Sequence, residues 1–449
     1  MARLFGTDGV RGVANSELTP ELAMSIGRAA VTALTKENGK RAKILIGKDT
    51  RVSSDMLESA LAAGMCSAGA DVVLLGFIPT PAVAFLVKEY GAQAGAVISA
   101  SHNPVQFNGI KFFDANGYKL PDETEDEIER LINEGDGAKR KTGAEVGQIS
   151  FSAGAVDDYV SHLADCIGCD LKGLFVAVDC ANGAAYQTAQ KLFSRLGADA
   201  VFTAAEPDGR NINDNVGSTH LESLEKLMGE TGAKVGIAFD GDADRCLAMD
   251  EKGCEIDGDK LIGIIAKYLK SAGKLAKDTA VVTVMTNLGF EEFCSNNGIS
   301  AVRTAVGDRY VLEEMLKHGY SVGGEQSGHV IISEYATTGD GQLTAVMFLR
   351  ILKESGKQAS ELAGEIPRYP QVLKQVAADE EQKAAYSIDG EIAAFIEEQQ
   401  AVLGSAGRIL VRPSGTEPII RVMAEGRDMS EIDGITDSIC ATISRRLEK

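Results

Sequence analysis

Short apolar runs alternate with helix-like segments along this chain, and the alternation restarts twice. Pro20 to Leu34 carries apolar residues at helical spacing, and Lys43 to Gly47 (KILIG) is short, apolar and strand-like. Ser54 to Gly69, Asp71 to Gly76, Ala82 to Tyr90 and Gly95 to Ala100 continue as helix, strand, helix, strand. Apolar strands joined through helices predict mainly parallel sheets covered on both faces. A second round runs through Leu174–Asp179, a helix over Ala184–Leu196, and Val235–Phe239. A third runs through residues 278–285, a helix over 290–296, and 299–304. Past the stiff segment Pro367-Arg368-Tyr369-Pro370 the pattern changes to an acidic, Gln- and Ala-rich stretch and two strands near Arg408–Val411 and Ile419–Met423. The expected division is an α/β domain over 1–153, another over 154–254, a third over 255–367, and a smaller C-terminal α+β domain over 368–449. A chain of 449 residues is long enough for several separate cores.

Composition limits the partners. The formal net charge is −20, a field that repels nucleic acid and anionic membranes. An anionic substrate then requires a locally basic pocket. No run approaches the roughly 20 apolar residues of a membrane span, and the N-terminal residues carry no signal-peptide pattern. The expectation is a cytoplasmic protein with reduced thiols. Cys166 and Cys169 form a lone Cys-x-x-Cys without a second pair or a nearby His, which favours a structural role. Residues 122–134 hold seven acids and read as a solvated helix face.

In open parallel sheets ligands sit beyond the carboxyl ends of strands, so the loops there carry the functional argument. After GAVISA comes Ser101-His102-Asn103-Pro104. A Ser in a rigid turn at a strand end suits a nucleophile or phosphate carrier, or simply caps the strand. His102 reads better as a brace within the loop than as a catalyst. After VGIAF comes Asp240-Gly241-Asp242-Ala243-Asp244-Arg245. Carboxylates at i, i+2 and i+4 share one side of an extended chain, and three packed anions require a cation. Oxygen ligands imply Mg²⁺ or Ca²⁺. Asp240, Asp242, Asp244 and Glu251 also fit positions 1, 3, 5 and 12 of a calcium-binding EF-hand loop, but Arg245 stands where that loop needs Gly and the flanks read as strands. Arg245 is placed to grip a phosphate. The third loop, Gly323-Gly324-Glu325-Gln326-Ser327-Gly328-His329, offers Glu325 and Ser327 to sugar hydroxyls or an ammonium group, with glycines that allow close approach of a ligand. The fourth, Arg412-Pro413-Ser414-Gly415-Thr416-Glu417-Pro418 with Arg421, is a candidate phosphate nest. Two further cations are candidates: Arg11, read as lying in a flexible N-terminal loop, and Lys111, in a strand after the Ser loop.

Taken together, SASHNP, DGDADR, GEQSGH and RPSGTEP in that order resemble the α-D-phosphohexomutase family over essentially the whole chain. The stretches Phe5–Gly12 and Val306–Tyr310, with Gln326 where glucose- and mannose-phosphate relatives tend to carry Met, resemble its amino-sugar branch. The resemblance implies three related mixed α/β domains and a smaller, mobile fourth around a central cleft. It implies an enzyme of the isomerase class in which Ser101 is a phosphoserine. Mg²⁺ would be held by Asp240, Asp242, Asp244 and an oxygen on phosphorylated Ser101. Glu325, Ser327 and His329 would recognise the sugar, and Arg412, Ser414, Gly415, Thr416 and Arg421 its non-reacting phosphate. Arg11, Lys111, His102 and Arg245 would surround the transfer step, with Lys111 a general base if neighbouring cations depress its pKa. The implied reaction interconverts glucosamine 6-phosphate and glucosamine 1-phosphate through a bisphosphorylated sugar, feeding UDP-N-acetylglucosamine and cell-wall precursor synthesis. A phosphoglucomutase or phosphomannomutase, or less readily a Mg²⁺-dependent sugar phosphatase, is the alternative. The implied partner is a hexosamine phosphate, with a homodimer left open.

Overall fold

A computed structural model describes residues 3–6, 8–34, 41–135, 140–404, 407–414 and 417–447. The chain packs as two compact units: residues 1–285 with 298–365, and residues 286–297 with 366–449.

The first unit opens with β1 (Val10–Val13), α1 (Pro20–Leu34), β2 (Lys43–Lys48), α2 (Ser54–Ser67), β3 (Asp71–Phe77), α3 (Thr80–Glu89), β4 (Ala94–Ile98), β5 (Phe107–Asp114), α4 (Asp122–Asn133) and β6 (Ile149–Phe151). The six strands form one sheet in the order β1-β5-β4-β2-β3-β6. β2 and β4 are buried along nearly their whole length because helices cover both faces. The small-residue faces of α1 and α2 pack on Ile44, Ile46 and Val72 to make the first core.

Next come α5 (Ala155–Ile167), β7 (Phe175–Asp179), α6 (Ala185–Leu196), β8 (Asp199–Thr203), α7 (Glu222–Thr231), β9 (Val235–Phe239), β10 (Cys246–Met249) and β11 (Glu255–Ile256). Their sheet runs β11-β10-β9-β7-β8. The third sheet follows α8 (Gly258–Ser271). It is built from β12 (Thr279–Thr283), β13 (Ser300–Thr304), β14 (Val322–Gly324) and β15 (Val330–Ile332), ordered β13-β12-β14-β15. α9 (Leu288–Asn296) lies between β12 and β13 in sequence but packs in the second unit, and α10 (Asp308–His318), α11 (Gly341–Ser355) and α12 (Ala359–Gly364) complete the first.

One topology recurs in all three sheets. A first strand has parallel neighbours on either side, and the later of these hands over to an antiparallel strand: β3-β2-β4-β5, β8-β7-β9-β10 and β13-β12-β14-β15. The architectural repeat expected from the letters is therefore present. Each copy closes on an antiparallel strand, so the sheets are mixed and not simply parallel.

The second unit holds α9, β16 (Gln371–Ala377), α13 (Glu380–Ile388), α14 (Gly390–Leu403), β17 (Gly407–Pro413), β18 (Ile419–Gly426) and α15 (Met429–Leu447). Its antiparallel sheet, β16-β18-β17, buries Ile420, Val422 and Ala424 against Ile432, Ile435 and Ile439 of α15. Buried Glu425 accepts a hydrogen bond from Leu288 N and an ion pair from Arg408, which ties α9 to this sheet.

Three expectations change. Arg11 is not in a loop: it lies in β1, opposite Gly109 of β5. The acidic helix α4 is not merely solvated. It buries Ile128 and Leu131, and Asp122 pairs with both Arg3 and Arg309. Cys166 does have a histidine neighbour one helical turn back, with Sγ 3.7 Å from His162 Nε2, but burial pushes its thiol up to about 12. All eight cysteines are free. Among the described residues no helix is long and apolar enough to cross a membrane.

Candidate active site

In each four-strand repeat one loop joins the last parallel strand to its antiparallel neighbour. These loops are residues 99–106, 240–245 and 325–329. They carry Ser101, the aspartate triad and Glu325, so equivalent positions of three repeats supply the chemistry.

Ser101 follows the carboxyl end of β4 with φ +52°, a conformation non-glycine residues rarely adopt. The loop is held from outside. Arg51, fully buried, donates to the carbonyls of Ser101, Asn103, Pro104 and Phe107 at 2.6–3.0 Å, and its Nε donates to Asp49 at 2.8 Å. All five guanidinium N–H donors are thus used. Asn213 Nδ2 adds a bond to Ser101 O at 2.9 Å. So fixed, Ser101 Oγ donates to Asp240 Oδ2 at 2.6 Å. The two loops approach closely because residue 241 is Gly: a Cβ there would stand 2.5 Å from Ser101 O.

Asp240, Asp242 and Asp244 are all buried, and one carboxylate oxygen from each lies within 4.8 Å of the others. A turn gathers them, with Ala243 at φ +55°, and not the extended alternation expected. Asp242 Oδ1 and Asp244 Oδ1 are buried without a hydrogen-bond partner. Burial drives the Asp240 carboxyl well above its usual range, and Asp244 and Asp242 push it further. A hard divalent cation answers both the orphaned oxygens and the mutual repulsion, so the residues fit a metal site. The EF-hand alternative does not hold: β9 and β10 flank the loop as an antiparallel pair, and Glu251 accepts a hydrogen bond from Ser360 N.

Cations surround the triad. Lys111 on β5, 2% exposed, reaches Asp242 Oδ2 and Asp8 Oδ2 at 3.0 Å each. Burial opposes its charge, but Asp242, Asp8 and Asp244 outweigh burial and raise its pKa. Its neighbours are thus mostly carboxylates, and the condition for a depressed-pKa base is not met. Arg245 lies among Asp244, Asp240, Glu325 and Asp242, and its backbone N–H donates to Asp240. Arg11 pairs with Asp8. His102 Nδ1 is 3.5 Å from Ser101 Oγ, and burial together with Arg245 and Arg11 lowers it to about 4, so the ring is neutral near pH 7.

In the third loop Glu325 Oε1 accepts from Gly307 N at 3.1 Å. Ser327 is exposed. Buried His329 accepts from Gly339 N at Nε2, which assigns its proton to Nδ1, 3.6 Å from Asp244 Oδ2. The Gln326 side chain turns to Asp257 at 3.4 Å. Gly328, at φ +92°, packs where any Cβ would strike the Cys246 carbonyl, so backbone packing, not ligand approach, requires this glycine.

In the second unit Arg412 and Arg421 are register partners on β17 and β18. Burial lowers the Arg412 pKa and Arg421 adds to the effect, the behaviour of paired cations suited to an anion. Lys383 Nζ donates to Ser414 O at 2.8 Å. Gly415 and Thr416 lie outside the described residues.

Sequence reasoning missed Arg51, Asp8 and Lys119. Arg51 had a signal: Lys48-Asp49-Thr50-Arg51 is a charged run at the carboxyl end of a buried strand, the position searched for loops elsewhere.

Family models match this chain along most of its length. Models of the phosphoglucomutase/phosphomannomutase α/β/α domains I, II and III match residues 2–139, 157–253 and 257–369, and the family's C-terminal domain matches 373–442. A phosphoglucosamine mutase of Clostridium beijerinckii is 52% identical over 447 residues, covering 99% of this chain and 100% of that one. Another, from Thermoanaerobacter sp. (strain X514), is 52% identical over 447 residues and covers 100% of both chains. A solved phosphoglucomutase/phosphomannomutase family protein from Burkholderia thailandensis shares the fold at TM-score 0.81 and 24% identity, over 99% of this chain and 97% of that one. With four domain models in order along the chain and relatives more than half identical from end to end, this chain belongs to the phosphoglucomutase/phosphomannomutase family, the α-D-phosphohexomutases, and is an enzyme of the isomerase class.

Proposed function

We propose that this enzyme interconverts glucosamine 6-phosphate and glucosamine 1-phosphate by way of a phosphorylated Ser101. The observation that carries the reading is Ser101 Oγ at 2.6 Å from Asp240 Oδ2, inside a cage of three buried carboxylates. The P–O bond to Ser101 breaks as one forms to the sugar's free hydroxyl oxygen; that hydroxyl gives up its proton and the departing Ser101 Oγ takes one up, so Ser101 is left as a neutral hydroxyl. The bisphosphorylated sugar turns over and returns its other phosphoryl group to Ser101. Asp240, Asp242 and Asp244 would hold Mg²⁺, which would supply positive charge against the phosphoryl oxygens. Arg245, Lys111 and Arg11 orient those oxygens and offset charge in an otherwise acidic protein, because phosphoryl transfer is mostly positioning and electrostatics. The Lys111 ammonium acts as a cation, and His102 braces the loop beside Ser101. Glu325, with Ser327 and His329, meets the sugar, its carboxylate suited to the 2-ammonium group. Arg412, Ser414 and Arg421 hold the phosphate not in transfer.

The identity of the curated relatives supports the amino sugar. The test compares kcat/KM on glucosamine 6-phosphate and glucose 6-phosphate. Discrimination of about a hundredfold or more for the amino sugar is expected from a carboxylate–ammonium pair. Equal values would return the enzyme to the phosphoglucomutase/phosphomannomutase reading, and release of free phosphate would indicate a phosphatase.

The metal assignment has its own test. Asp242→Asn keeps an acceptor for Thr80 and Lys111, which now bond Oδ2, but removes one ligand charge. Calorimetry should find Mg²⁺ or Mn²⁺ binding weakened by about tenfold or more with the melting transition retained. Unchanged affinity would place the metal elsewhere.

A further inference from the structure

Two acids in the stretches that carried the family resemblance, Asp8 and Asp308, have no part in the reaction so far. Lys119 joins them. Its Nζ donates to Asp8 Oδ1 at 2.7 Å and to Asp308 Oδ2 at 2.5 Å. Asp8 Oδ2 in turn meets Lys111 at 3.0 Å and pairs with Arg11, and Lys111 donates to Asp242 Oδ2 at 3.0 Å. On the other side Asp308 opens α10 directly after Gly307, whose N–H holds Glu325 Oε1. His329 lies beside this chain, its Nδ1–H 3.6 Å from Asp244 and its Nε2, which accepts from Gly339 N, 3.5 Å from Asp308. A chain of alternating charge thus runs from Asp242 through Lys111, Asp8 and Lys119 to Asp308, and among the described residues Lys119 is the ammonium that joins Asp8 to Asp308.

We propose that Lys119 is a positioning residue that couples the phosphoryl-transfer centre to the sugar-recognition loop. Asp8 divides its two oxygens between Lys119 and the pair Lys111 and Arg11. Remove the Lys119 charge, and Asp8 draws Lys111 off Asp242, while Asp308 is left as a carboxylate without its ammonium. The transfer centre loses its nearest cation, and the segment that holds Glu325 loses its anchor. Neutralising Asp8 and Asp308 alone would require a charge somewhere near them. Coupling requires that charge at this point, in this geometry.

The inference rests on the transfer reading above, so the experiment has one arm with substrate and one without. In the full-length enzyme, Lys119→Met should lower kcat about tenfold or more. In a double-mutant cycle with Glu325→Gln the two losses should be clearly non-additive. Without substrate, Lys119→Met should tighten Mn²⁺ binding about threefold, because Lys111 no longer competes for Asp242. Lys119→Arg should return both quantities to within about twofold of wild type. The residue borders a cavity of about 310 Å³ that gives the larger head room. Wild-type kcat and Mn²⁺ affinity in the Met variant would overturn the coupling, as would additive losses or an Arg variant no better than Met. If the Met variant does not melt cooperatively, Asp308→Asn and Lys119→Arg decide. A kcat loss of about threefold or more in Asp308→Asn, with Arg near wild type, supports the coupling; wild-type kcat in both overturns it. If wild-type enzyme turns over no hexose phosphate, the functional reading falls and the Mn²⁺ arm alone decides the coupling.

Discussion

Ser101→Ala should lose turnover by on the order of a thousandfold or more while leaving the fold in place, because the oxygen that carries the phosphoryl group is gone. No neighbour can stand in. Ser99, the nearest hydroxyl in the sequence, donates to Asp49 Oδ2 at 2.7 Å and accepts from Ser101 N at 2.9 Å, so it is fixed as part of the loop's support. The structural cost is limited: Oγ donates a single side-chain hydrogen bond, to the Asp240 carboxylate, worth about 1.5–3 kcal/mol. The positive φ is no harder for Ala than for Ser. Steady-state turnover on glucosamine 6-phosphate checks the first part and thermal melting the second. Intact-mass measurement after incubation with the bisphosphorylated sugar adds a direct readout, one phosphoryl group on wild type and none on the variant. A variant that keeps even a tenth of wild-type turnover would remove the phosphoserine from the mechanism.

Arg51→Met should be the most disruptive single change among residues that never touch substrate. Both Arg51 and its partner Asp49 have side chains fully removed from solvent. Breaking a buried pair leaves the other charge uncompensated, at a cost of about 3–5 kcal/mol. Asp49 keeps hydrogen bonds from Ser54 Oγ and Ser99 Oγ but loses its guanidinium. Four loop carbonyls lose their donor, including that of Ser101. The unfolding transition of the unit carrying Ser101 should move to lower denaturant. Turnover should fall further than stability alone accounts for at temperatures where the protein is still folded, because the αL turn at Ser101 is no longer held. Arg51→Lys should rescue little, since one ammonium cannot reach four carbonyls and a carboxylate at once. Native-like turnover in the Lys variant would mean the loop is held without the fork.

Where the letters were informative, the reason was local. α1 runs over Pro20–Leu34 as its apolar spacing predicts, and Val235–Phe239 is the strand its unbroken apolar run predicts. Ser101 and the three aspartates come to one place because each sits just past the carboxyl end of a buried strand, a position sequence pattern can mark. Arg11 was misplaced for the opposite reason. Val10–Val13 is too short and too mixed to read as a strand alone, and it becomes one only by pairing with β5. The Gln326 side chain bonds Asp257 nearly 70 residues away in sequence, a partner no local pattern names. The bridge from Lys119 to Asp8 and Asp308 likewise joins residues far apart in the chain, which no local pattern names.

The sequence by itself determined the strongly periodic or unbroken apolar segments, such as α1 and β9, because period and apolar content act over a few residues. It also determined which loops carry hydroxyl, carboxylate and guanidinium groups. Only the tertiary structure decided that three such loops occupy the same step of a repeated β3-β2-β4-β5-like topology, and that Arg51 clamps the first of them. It alone decided that one ammonium bridges carboxylates separated by 300 residues of chain. Those outcomes depend on distances between atoms far apart in sequence, set by burial and charge neutralisation across the whole fold.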